Sequence, residues 1–203
     1  MRKPSEYLPA AVAGLRSRLM PDCSDTLVCD GRSASVTRVG SPSRGEDPLT
    51  DTDVQEGVRV LALASDFPGL SKGRLVSLGG RTRLVTSART DPAGATLSIG
   101  LSAEMERCPA AYSRGRLFRY PLEVLALESA VIPSPYEDAA APSYDQTWIV
   151  AIPAELWPDV TAPQVGDAVE LSSERLDAPA LKVSSVVQSG GCWLLHARPR
   201  GGV

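Results

Sequence analysis

Hydrophobic residues change their spacing near residue 27, and the change divides the chain into a helical start and a long β region. Before it, Leu8, Val12, Leu15 and Leu19 fall on one stripe of a helix, with Arg16 and Arg18 on the other face. Pro21 stops that helix, and Pro9 is tolerated only in its first turn, where the missing N–H bonds nothing. From Leu27 onward apolar and polar residues alternate, which predicts strands at 27–29, 34–39, 58–64, 74–78, 83–88 and 95–101. Asp30-Gly31, Lys72-Gly73, Gly79-Gly80 and Asp91-Pro92-Ala93-Gly94 supply the turns between them. The second half predicts strands at 122–127, 148–152, 168–172, 181–187 and 192–197, turning at Val165-Gly166-Asp167 and Ser189-Gly190-Gly191.

The two halves repeat one phrase. Val60, Ala62, Ala64, Ser65, Asp66, Phe67 and Pro68 are echoed at a fixed offset by Val150, Ile152, Ala154, Glu155, Leu156, Trp157 and Pro158. Further on, Gly73, Val76 and Leu78 match Gly166, Val169 and Leu171, and Val85 and Ser87 match Val183 and Ser185. The added residues fall in expected turns while the strand cores keep their lengths, which is how copies of one small β domain diverge. A period of about ninety residues makes each copy a whole domain and not a solenoid repeat. The expected fold is therefore mainly β: two small β-barrel or sandwich domains in tandem, six strands in the first and five in the second, with one N-terminal α-helix. The first domain is expected over 1–104 and the second over 118–203. Between them, 105–117 holds Pro109, Ser113 and Gly115 among short side chains, which predicts a linker.

Each half also carries one long polar stretch between matched strands, GSPSRGEDPLTDTDVQE at 40–56 and PSPYEDAAAPSYD at 133–145. Prolines, acids and small residues at this density build no core, so both are expected to be loops. Their equivalent positions favour a shared binding role. The candidate interface residues are Arg44, Glu46, Asp47, Asp51 and Asp53 in the first, and Tyr136, Glu137, Asp138, Tyr144 and Asp145 in the second, the tyrosines acting as anchors.

Composition narrows the partners. Two Phe and three Trp among 203 residues leave thin cores, which suits two small domains better than one large one. A formal net charge of −3 gives no broad cationic field, so neither a specific nucleic acid nor an anionic membrane is expected as a partner. The sequence has no apolar run long enough to cross a bilayer and no signal-peptide core, so a soluble protein made in the cytoplasm is expected. Cys23, Cys29, Cys108 and Cys192 are irregularly spaced and His196 is the one histidine, so no metal site is expected and reduced, partly buried thiols are.

Catalytic chemistry finds little support in these residues. A serine or cysteine nucleophile wants a histidine base, and His196 lies in an alternating terminal strand. Gly69–Gly73 (GLSKG) lacks the Gly-Lys-Ser/Thr ending of a phosphate loop and reads as a turn. Neither catalytic residues nor a cofactor is expected, and an interaction protein is the reading that remains.

The second half, with Trp148–Ile152 (WIVAI), Val165-Gly166-Asp167, Val183–Val186 (VSSV), Gly190-Gly191 and Trp193–Pro199 (WLLHARP), resembles the head-tail joining proteins of lambda-like tailed bacteriophages. The first half resembles them too, its leading helix matching the helix that opens those proteins. Gly73-Arg74 departs from the family's Gly-Asp pair, and the tandem arrangement departs from its single domain. The resemblance implies a structural virion protein, not an enzyme, assembled in the host cytoplasm. It implies a ring homo-oligomer, a hexamer, in the neck between the portal or adaptor protein and the tail terminator or tail tube. A baseplate or tail-fibre attachment protein is the alternative, and a small hydrolase or carbohydrate-binding module a second one.

Overall fold

The computed structural model describes residues 24–39, 56–115, 118–130, 146–157, 161–172 and 180–200. The predicted N-terminal helix lies outside these residues. The chain divides into two compact units whose described parts meet between Glu104 and Met105.

The first unit is built from β1 (Ser24–Cys29), β2 (Arg32–Arg38), β3 (Glu56–Leu63), β4 (Leu75–Leu78), β5 (Arg81–Thr90) and β6 (Thr96–Glu104). All six were expected from the alternation. Antiparallel ladders join them in the order β1-β2-β3-β6-β5-β4, and β4 pairs back with β1 to close a barrel. Asp30 and Gly31 both take positive φ, 49° and 75°, in the two-residue turn that brings Cys29 opposite Arg32. Such a turn matches the twist of the strands it joins, and it explains the Asp-Gly pair at this position. The side chains that alternate inward, Leu27, Val36, Val60, Ala62, Val76, Leu78, Val85, Leu97, Ile99 and Leu101, form the core. Phe67, on the connection after β3, joins the same core.

The second unit contains β7 (Glu106–Arg114), β8 (Phe118–Ala130), β9 (Gln146–Pro153), β10 (Ala168–Leu171), β11 (Leu181–Ser189) and β12 (Cys192–Pro199), with a short 3-10 turn at Ala154–Leu156. Two expectations are corrected here. The stretch 105–117 is not a linker: it supplies β7, which pairs along its whole length with β8 and with Ala168–Leu171 of β10. The second barrel accordingly has six strands and not five. Pro109 is tolerated inside β7 because its missing N–H would face the β10 side just past the last ladder pair, Ala110 opposite Leu171, where its carbonyl still accepts from the Ser172 N–H; Cys108, Ala110 and Tyr112 point inward and are buried.

Ladder order in the second unit, β7-β8-β9-β12-β11-β10 with closure from β10 to β7, is the first unit's order with every strand advanced by six. Hydrogen bonds place the copies residue on residue. Gly73 N–H donates to Val85 O and Val85 N–H to Arg74 O (2.9 and 2.8 Å); Gly166 N–H donates to Val183 O and Val183 N–H to Asp167 O at the same distances. Both glycines have positive φ, 86° and 94°. Cross-strand pairs agree as well, Val60 opposite Ile99 and Val150 opposite Leu195, all four fully buried. Even a β-bulge recurs, between Val85 and Ser87 and between Val183 and Ser185. Bulges bend strands at chosen places and are retained as features of a fold, so a shared one is a strong sign of common construction. The likeness extends to strands in which the sequence shows no repeat. Register sets Ala34 and Val36 of β2 on Leu122 and Val124 of β8.

Some strands depart from simple alternation, β9 most fully. Trp148, Ile149, Val150, Ala151 and Ile152 of β9 are all buried, so both faces of this strand are covered. A strand covered on both faces reads as a continuous apolar run, which is what the WIVAI segment is.

Candidate functional site

All ten residues expected at an interface, Arg44, Glu46, Asp47, Asp51, Asp53, Tyr136, Glu137, Asp138, Tyr144 and Asp145, lie outside the described residues. What the structure gives is their place in the topology. The stretch 40–55 joins β2 to β3 and the stretch 131–145 joins β8 to β9, which are equivalent strand pairs of the two barrels.

The most concentrated polar chemistry lies elsewhere, at one corner of the second barrel. Tyr112, near the end of β7, is 1% exposed and donates its hydroxyl to Oδ2 of Asp167, which is itself buried just before β10. The same carboxylate oxygen accepts from Arg114 Nε at 3.2 Å and from the Gln164 N–H at 2.8 Å. Arg114 then spreads its other nitrogens over the incoming chain, Nη1 to Thr161 Oγ1 and Nη2 to Ala162 O at 2.7 Å. Trp157 completes the corner. Its ring stands edge-on to Tyr112, with centroids 4.7 Å apart and planes at 89°, and its Nε1 donates to Thr161 O at 2.9 Å.

Sequence periodicity explains the positions of these groups. Tyr112 follows Cys108 and Ala110 on the inward row of β7, so its ring must enter the core and its hydroxyl must find a partner there. Asp167 occupies the Gly-Asp turn, where positive φ at Gly166 turns the chain into β10. Burial and the neighbouring Asp167 carboxylate hold the Tyr112 hydroxyl neutral, raising its pKa far above that of a free tyrosine. The corner is a clamp, in which one buried carboxylate and one guanidinium fasten the segment before β10 to the end of β7.

The first barrel has a clamp at the same corner with the charges exchanged. Arg74 takes the place of Asp167, and it pairs with Asp30 at the end of β1. This pair is more open, with side chains 33% and 61% exposed, whereas Arg114 and Asp167 are 21% and 7% exposed. Cys29 takes the place of Tyr112, as the register of β1 and β7 against β4 and β10 requires. Burial, followed by the adjacent Asp30, pushes its thiol pKa up. Cys29, Cys108 and Cys192 are all free and buried, and Cys23 lies outside the described residues. His196 lies half-buried on β12 opposite Ser185.

Among the described residues no helix is long and apolar enough to cross a membrane, and no three His, Cys, Asp or Glu side chains group as metal ligands. The sequence already contained the Gly-Asp turn, but not its partners. Tyr112 and Arg114 stand in the stretch whose composition predicts a linker, so no local pattern marks them as partners of Asp167. No family model matches the chain, and no curated protein or solved structure is significantly similar to it.

Proposed function

We propose that this chain is a structural, ring-forming protein of a tailed-phage virion, seated in the neck between head and tail. The observation that supports the reading is the exact repetition of strand order in the two barrels, with a long acidic stretch placed in the same connection of each. A duplicated scaffold of this kind presents two related surfaces from one chain. Subunits that carry two different complementary surfaces associate head to tail, and such contacts close into a ring when the rotation between neighbours divides a full turn. The acidic stretches then meet the adjoining rings.

Native mass spectrometry and negative-stain microscopy of the purified full chain test this reading. Closed rings of six copies are the expected result. Rings of three would move the assignment to a baseplate or fibre-attachment role, and a chain that stays monomeric both alone and with portal and tail-tube proteins encoded beside it would sink the reading.

A further inference from the structure

Each barrel has a seam where pairing between two strands stops short, and the two copies treat it differently. In the first barrel β2 meets β3 through Thr37 opposite Leu61 and Arg38 opposite Val60, and the Val39 N–H adds one bond to Arg59 O at 2.9 Å. Backbone groups of an antiparallel strand point alternately to its two neighbours. Residues 37 and 39 direct theirs toward β3, so Ser33 and Ser35 direct theirs the same way, beyond the end of the ladder. The opposite side agrees. Gly79 N–H donates to Thr26 O, which assigns Thr26 to β4 and leaves Leu27 and Asp25 to bond Ala34 and Val36 of β2. Ser33 and Ser35 are exposed, and their main-chain groups on the β3 side have no strand partner among the described residues.

The register that sets β2 on β8 puts Pro121 at the place of Ser33 and Glu123 at the place of Ser35. Proline has no N–H to offer, and proline and charge are the usual means of protecting a strand edge from unwanted pairing. Arg119 and Glu123 beside it are engaged by Glu170 and Arg107. The second barrel thus blocks its seam, while among the described residues the first leaves the equivalent edge open, lined by small hydroxyl side chains that let another backbone approach. Arg32, exposed at one end of this edge, makes no ion pair among the described residues. Arg38, at the other end, is 56% exposed beside Asp25.

We infer that the open edge of β2 receives an extended acidic segment of a partner polypeptide, which adds as a strand alongside Ser33 and Ser35 and places a carboxylate on Arg32. Main-chain hydrogen bonds provide the attachment in this mode of recognition, and the side chains that flank the edge provide selectivity. The inference stands independently of the ring reading, because it concerns a single barrel.

The test uses the full chain and two synthetic peptides, one alternating valine with aspartate and one alternating valine with lysine. The acidic peptide is expected to shift the amide resonances of Ser33 and Ser35 and to bind at least about tenfold more tightly than the basic one, with affinity falling as salt rises. Ser33→Pro, which copies Pro121 and removes an N–H that β1 does not use, is expected to lower that affinity about tenfold or more. Ser33→Ala is expected to leave it unchanged. Arg32→Glu provides a second route that leaves the backbone intact, and it is expected to remove the preference for the acidic peptide. Equal binding of both peptides, binding of neither, or unchanged affinity in Arg32→Glu would overturn the inference. Concentration-dependent self-association abolished by Ser33→Pro would also overturn it, by assigning the edge to a second copy of the chain.

Discussion

Asp167 is the residue whose removal the fold can least absorb at the clamp. Replacing it with alanine leaves the buried Tyr112 hydroxyl, the Arg114 guanidinium and the Gln164 N–H without their shared acceptor. An orphaned buried network of this kind costs about 3 kcal/mol. Arg74→Ala breaks the exposed counterpart in the first barrel and is expected to cost less than about 1 kcal/mol. Urea unfolding of the two variants checks the difference, and equal losses would mean that the buried corner is not held by Asp167. Tyr112 adds a pH dependence whose sign follows from its raised pKa. Folding favours the neutral phenol, so its contribution is complete below the ordinary tyrosine pKa of about 10 and diminishes as pH rises above that value. Stability is therefore expected to fall on the alkaline side, and Tyr112→Phe to flatten that fall in a series of denaturation curves across pH. Gly57 sets a separate constraint. A Cβ there would lie 2.7 Å from the Ala103 nitrogen, at the bulge between β3 and β6. Gly57→Ala is expected to lower stability by about 1–3 kcal/mol in the same urea assay, since the obstacle is backbone and not a movable side chain.

At the scale of elements, pairing length separates the copies where topology does not. Among the described residues the β2–β3 ladder pairs Thr37 and Arg38, with one further bond from the Val39 N–H to Arg59 O, whereas β8–β9 runs from Leu125 opposite Ala151 to Ala130 opposite Gln146. Local opening depends on the pairing that must be broken, so amides at Thr37 and Val39 are expected to exchange with solvent faster than those at Leu125 and Leu127. Hydrogen exchange followed by mass spectrometry or NMR measures this, and slower exchange at Thr37 would contradict it. The same elements show why part of the fold was legible in the sequence. A strand such as β4 alternates cleanly between a buried and a more open face, and glycine turns bracket it, so period and punctuation agree. β7 gave no such agreement. Its inward row is Cys108, Ala110 and Tyr112, its outward row contains Pro109 and Ala111, and this mixture of small residues with a proline has the composition of a connection. Only long-range pairing with β8 and β10 makes it a strand, and pairing of that kind leaves no local trace. The clamp was missed for the same reason, since two of its members belong to β7.

For the whole molecule, the position of the boundary has a direct experimental consequence. Each unit carries its own closed ladder and its own core, so neither barrel draws a strand from the other. Fragments 1–104 and 105–203 are each expected to fold, giving β-type circular dichroism and a cooperative thermal transition. A fragment cut at the boundary drawn from composition, 118–203, is expected to fail. It lacks β7, which removes Cys108, Ala110 and Tyr112 from the core, deprives Asp167 of both Tyr112 and Arg114, and opens the ladder between β8 and β10. Losing a buried tyrosine alone costs on the order of 3–5 kcal/mol, comparable with the entire stability of a small domain. The opened ladder also exposes β8 and β10 as unpaired edges, so the failed fragment should aggregate. Comparing 105–203 with 118–203 by circular dichroism and sedimentation isolates the contribution of β7. Cooperative unfolding of the shorter fragment would show that the second barrel is complete without its first strand.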